Sequence, residues 1–142
     1  MISLSRNCIA ELFAHLEAHY PHEACGVFIG RPGKDGAPDV VTSVRPVDNV
    51  NTERAHDRYE MDPKGQLAAE REARAGGWSI LGIWHSHPDH PARPSQTDLD
   101  RAWPRYAYMI VSIHSGKAGE WTTWELDDAG AAFRPVVVRV VQ

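Results

Sequence analysis

The chain has 142 residues, 42% hydrophobic and 24% charged, with a formal net charge of −4. One domain spanning residues 1–142 is expected, and the weakly acidic balance gives no general attraction to nucleic acid or an anionic membrane, so neither is an expected partner. The two cysteines, Cys8 and Cys25, are too few for a secreted disulfide framework; no basic start leads into an apolar signal-type block, and no apolar run nears the roughly 20 residues of a membrane helix, so a cytoplasmic protein with reduced thiols is expected.

Leu4, Cys8, Ile9, Leu12, Phe13, Leu16 and Tyr20 follow helical spacing, with Ser3 or Ser5 as cap and Pro21 as stop. Ala24 to Gly30 reads as a buried strand, Arg31 to Pro38 as a hairpin-type loop, and Val40, Val41, Val44 and Val47 as a second strand. Asp48 to Asp57 is polar and irregular, and Arg58 to Met61 forms a short strand. Asp62 before Pro63 starts a helix that ends at Gly76-Gly77, and its Ala-rich face suits close packing on a sheet. Ile80, Leu81, Ile83 and Trp84 lead a strand into His85. A short helix from about Ser95 to Trp103 follows, then three strands: Tyr106 to Ile113, Trp121 to Leu126, and about Phe133 to Val141. Helices mixed with largely sequential strands predict an α+β fold.

The chemistry concentrates in His85-Ser86-His87-Pro88 and in Asp98, with ten residues between His87 and Asp98. A strand puts residues i and i+2 on one face, so His85 and His87 present two imidazoles side by side. Pro88 has no N–H to donate and closes the strand there. Two imidazoles and a carboxylate make a three-ligand set suited to a catalytic zinc that keeps a fourth position for water. Ser95 and Asp98 also form a Ser-x-x-Asp capping box at a helix start. Both readings are compatible, because the third helical residue points back toward the helix start. Ser95 can then cap and face the site together.

Two other metal patterns bear on the same residues. His22-Glu23-Ala24-Cys25-Gly26 fails H-E-x-x-H, since position 26 is glycine. His85-Ser86-His87-Pro88-Asp89-His90 does match the H-x-H-x-D-H run of metallo-β-lactamase-type hydrolases. That family needs a larger two-layered domain and further downstream ligands, for which only His114 remains. A TIM-barrel amidohydrolase also uses H-x-H but requires a chain of about 200 residues or more.

An upstream Glu23, His85-Ser86-His87-Pro88, and Ser95-x-x-Asp98 together resemble the JAMM (MPN+, Mov34/JAB1) zinc metalloprotease family. Glu23 to Gly30 is similar to that family's first strand and Gly82 to Pro88 to its metal strand, and the likeness runs from the first helix to the last strand. The resemblance implies a curved, mostly antiparallel or mixed β-sheet flanked by helices, with a cytidine-deaminase-like layering. It implies one zinc with a bound water, held by His85, His87 and Asp98. It also implies Glu23 as general base and Ser95 as donor to the oxyanion. The short stretches after Val47 and Asp98 resemble the compact stand-alone prokaryotic members, such as CysO-cysteine peptidases. The implied reaction is hydrolysis of a peptide or isopeptide bond after the Gly-Gly tail of a ubiquitin-like sulfur-carrier protein. Asn49, Tyr59 and Trp103 are the expected walls of the tail groove, filled by strand addition at a sheet edge. A module that binds such tails without cutting them is the competing function.

Overall fold

The computed structural model describes residues 1–142. Its elements are β1 (Ile2–Ser5), α1 (Arg6–His19), β2 (Cys25–Arg31), β3 (Asp39–Val47), α2 (Pro63–Ala75), β4 (Ser79–Pro88), α3 (Gln96–Arg101), β5 (Ala107–His114), β6 (Lys117–Leu126), β7 (Phe133–Pro135) and β8 (Val138–Val141). All eight strands join one mixed sheet in the order β7-β6-β5-β4-β2-β3-β1-β8. The α+β class and the mixed curved sheet are therefore as expected.

The connection from β7 to β8 dictates the curvature. These strands are the two edges of the sheet, yet only Val136 and Val137 separate them. The three steps from Pro135 to Val138 reach at most about 11 Å, so the sheet must curl until its edges nearly meet. Backbone bonds make the closure: Val136 N–H donates to Thr123 O at 2.9 Å, and Ile2 N–H to Val137 O at 3.0 Å.

Side-chain alternation divides the core into two layers. Phe28, Trp84, Met109 and Val111 pack with Leu12 and Leu16 of α1. Their neighbours Val27, Ile29, Ile83 and Tyr108 pack with Ala69 and Ala73 of α2. Alanine lets α2 approach the sheet closely, as its composition predicts.

Three expectations change. Leu4 lies in β1 rather than in the first helix; Ser5 is the cap, its hydroxyl accepting from Cys8 N–H at 3.1 Å. Arg58 to Met61 is not a strand; only one isolated bridge joins Met61 to Asn49. The expected last strand is two, β7 pairing with β6 and β8 crossing to pair in parallel with β1. No helix is long and apolar enough to cross a membrane.

Candidate metal centre

Two neighbouring central strands and one helix start converge on the site. β4 lies between β2 and β5, with His85 opposite Cys25 and Ile110. His85 and His87 share the α2-facing side of the sheet, and Pro88 is the last residue of the strand. Their Nε2 atoms stand 3.2 Å apart. Asp98 faces both: Oδ1 lies 3.3 Å from His85 Nε2 and Oδ2 lies 3.3 Å from His87 Nε2.

These separations test whether the residues fit a metal. Tetrahedral zinc with bonds of about 2.0–2.1 Å holds its ligand atoms about 3.3–3.4 Å apart. The observed edges of 3.2, 3.3 and 3.3 Å match that size. The His87 ring also shows which nitrogen is available, for Nδ1–H donates to Pro91 O at 3.0 Å and leaves Nε2 with its lone pair toward the centre. His85, His87 and Asp98 are the single cluster of metal-ligating side chains in the chain, and they fit zinc.

Asp98 has two jobs at once. Its Oδ2 accepts Ser95 N–H at 2.9 Å, while its own N–H donates to Ser95 Oγ at 3.0 Å, completing the capping box of α3. Burial works against its charge, but the His85 and His87 imidazoles and the Ser95 N–H hold the carboxyl far below the usual carboxylate range. Ser95 Oγ serves as acceptor in the cap, so its O–H remains free to donate into the cleft.

Glu23 is only 6% exposed and sits just before β2. Ser86, the residue between the two histidines, fixes that stretch: its Oγ accepts Ala24 N–H at 3.0 Å, and its N–H donates to Ala24 O at 3.1 Å. Burial pushes the Glu23 carboxyl above its ordinary range; the two imidazoles oppose the rise and Asp98 and Asp57 add to it. Glu23, Tyr59, His87, Ser95 and Asp98 line one cleft of about 350 Å³, with Arg58, Arg93 and Arg101 on its rim.

The expected groove residues separate. Tyr59 is in the cleft, its ring stacked on His85 with centroids 4.6 Å apart. Trp103, 65% exposed, lines an adjoining hollow shared with Tyr59, Asp98 and Arg101. Asn49 lines a second hollow with Val47, Asp48, Val50 and Asn51, which Glu23 also borders; its amide donates to Glu23 O and Arg58 O and accepts from Asn51 and Glu60 N–H, so it ties the loop to the base of the site. The sheet edges are β7 and β8, whereas the ligands stand on central β4. Asp89 and His90 of the H-x-H-x-D-H run lie outside the cluster, and the Asp89 carboxylate is taken by Tyr20 and Ser115. Sequence reasoning missed Ser86 and the Pro91 carbonyl. A serine in an otherwise apolar buried run is a signal for the first; nothing in the residue type marks the second.

The family described as prokaryotic homologs of the JAB domain matches residues 5–127. A desampylase of Haloferax volcanii is 37% identical over 114 residues, covering 79% of this chain and 78% of the relative. A CysO-cysteine peptidase of Mycobacterium tuberculosis is 29% identical over 139 residues, covering 97% of this chain and 91% of the relative. A solution structure of a protein from Desulfitobacterium hafniense superposes with a TM-score of 0.80 at 33% identity, covering 99% of this chain and 94% of that one.

Proposed function

We propose a function from a family premise: the chain belongs to the prokaryotic homologues of the JAB domain, and it works as a zinc-dependent peptidase of the JAMM type. It hydrolyses the amide bond after the Gly-Gly tail of a ubiquitin-like sulfur-carrier protein or of its conjugates. The relatives named desampylase and CysO-cysteine peptidase support that substrate class. The observation that carries the reading is the shared cleft: Glu23, Ser95, His87 and Asp98 line one cavity, and His85, buried behind it, completes the triangle with His87 and Asp98.

Zinc held by His85, His87 and Asp98 would supply an acidified water and a Lewis acid for the scissile carbonyl. The chain's own residues do the rest. Glu23 takes a proton from the attacking water as the new C–O bond forms. It returns that proton to the amide nitrogen as the C–N bond breaks, so the amine leaves neutral. Transfer of this kind is worth about 10²–10⁴-fold. The free Ser95 O–H donates to the oxyanion of the tetrahedral intermediate. Tyr59, stacked on His85, keeps water off the back of the site and walls the cleft for an extended glycine tail.

The test uses zinc-loaded protein and a Gly-Gly-tailed carrier conjugate. Wild type should cleave it, chelator should stop cleavage, and Glu23→Gln should bind zinc normally yet lose at least about 100-fold in turnover. Cleavage that survives chelator, or equal turnover by Glu23→Gln, overturns the mechanism. Tight tail binding without turnover would mark a non-catalytic module instead.

A further inference from the structure

Asp89 is the residue of the H-x-H-x-D-H run that the metal triangle leaves unused, and its surroundings are unusually specific. It follows Pro88 at the end of β4 and has φ +57°, a left-handed backbone that Asp tolerates better than most residues. Its backbone N–H donates to Ile113 O at 2.8 Å. Its carboxylate is held from two sides: Oδ2 accepts the Tyr20 hydroxyl at 2.5 Å, and Oδ1 accepts Ser115 N–H at 2.8 Å. Tyr20 closes α1, and Ser115 sits in the turn between β5 and β6. Two elements distant in sequence from each other therefore grip one carboxylate at the end of β4.

The turn that this carboxylate anchors carries an acceptor for a metal ligand. The Ser112 hydroxyl donates to His90 O at 2.7 Å, and the next carbonyl, Pro91 O, accepts Nδ1–H of His87. That bond sets the tautomer of His87 and aims Nε2 at Asp98. Partners of this outer kind are typically worth about 10–100-fold in metal affinity.

We infer that Asp89 is a positioning residue: with Tyr20 and Ser115 it clamps the turn at residues 88–91, so that Pro91 O orients His87 for zinc. The clamp rests on the metal reading above, but not on catalysis. Asp89 is not a ligand itself; it acts through the carbonyl two residues on.

The experiment measures zinc affinity by competition with a chromophoric chelator, alongside the melting temperature of the metal-free protein. Asp89→Ala should weaken zinc binding about tenfold or more. Asp89→Asn should stay within about threefold of wild type, because its amide can accept from Ser115 and donate to the Tyr20 oxygen. Tyr20→Phe should fall between, and His90→Ala should change nothing. With cobalt(II) in place of zinc, Asp89→Ala should shift the visible bands, whereas a residue that only stabilises the fold would leave them alone. Unaltered affinity in both Asp89→Ala and Tyr20→Phe overturns the clamp. So does a loss in Asp89→Asn as deep as that of His87→Ala, which would make Asp89 a direct ligand. If Asp89→Ala does not fold, Tyr20→Phe and Asp89→Asn decide alone. A zinc-binding protein that cleaves no carrier conjugate would defeat the proposed function and leave the clamp standing.

Discussion

At the scale of single residues, Ser95 separates two contributions that share one oxygen. As a cap it accepts Asp98 N–H; in the proposed mechanism its proton would go to the oxyanion. Replacing a capping serine by alanine costs about 1 kcal/mol, and by glycine only a few tenths. Losing one oxyanion donor costs about 10²–10³-fold in turnover. Ser95→Ala and Ser95→Gly should therefore lose activity alike but differ in melting temperature. Equal stability with full activity in either would remove Ser95 from the mechanism. The capping box of Ser95 and Asp98 was legible in the local spacing, and the gathering of Asp98 with His85 and His87 was expected from the residue types, while the proposed role of Ser95 toward the oxyanion came only with the resemblance. The place of Glu23 was legible only through the resemblance, because 61 residues lie between it and His85. Its approach depends on Ser86 holding Ala24, a contact no local pattern encodes. Cys25 is simpler. Burial, aided by Glu23 and Asp48, pushes its thiol from 9.0 up to about 12. The unfolded thiol ionises first, so this group's contribution to stability is intact below pH 9 and is lost as pH climbs toward 12. Iodoacetamide at pH 8 should leave Cys25 unmodified in the folded protein and label it on unfolding, as peptide mapping would record.

At the scale of elements, the metal strand owes its position to the absence of a side chain. A Cβ at Gly82 would sit 2.0 Å from Ala107 O, in the parallel β4–β5 ladder that continues to His85 and His87. Backbone cannot rotate away as a side chain can. Gly82→Ala should destabilise the fold by about 1–3 kcal/mol. Because the strand must shift three residues before a ligand, it should also weaken zinc binding; a chelator titration beside a denaturant melt checks both. Retained stability would mean that β4 and β5 are less closely paired than described. The elements also show where sequence patterns stop informing. Leu4 satisfies both a helical step to Cys8 and the alternation of Ile2 with Leu4. What assigns it to a strand is pairing of β1 with β3 and β8, the latter more than a hundred residues away. The break after Pro135 is similar. Val136 and Val137 continue an apolar run, yet there the chain leaves one sheet edge and joins the other. The ends of helix α2 were legible, because Asp62-Pro63 and Gly76-Gly77 are local signals, whereas its buried face, Ala69 and Ala73 with Leu67 left exposed, is set by the sheet it packs on.

At the scale of the whole molecule, the site joins the most protected part of the fold to the least. His85 and His87 stand on β4, flanked by strands on both sides and buried on both faces. Asp98 stands on α3, a six-residue helix with no buried residue. Apart from the capping box, α3 is tied down by Arg101 donating to Tyr59 O at 3.0 Å and by Tyr108 Oη accepting Trp103 N–H at 2.6 Å. A helix so short cannot hold itself in water. Zinc would therefore act as a rivet between α3 and the sheet. At a free concentration about 100-fold above Kd it should stabilise the native state by about 2.7 kcal/mol, or about 5–10 °C in melting temperature for a chain of this length. Hydrogen exchange locates the effect. Amides of Leu99 and Ala102 should exchange quickly without metal and slow on adding zinc. Amides of β4 and β5 should be slow in both states, since global unfolding alone exposes them. His87→Ala should abolish the thermal shift and the slowing together. A zinc-induced shift that persists in His87→Ala, or slowing spread evenly over all strands, would place the ion somewhere other than the His85–His87–Asp98 triangle.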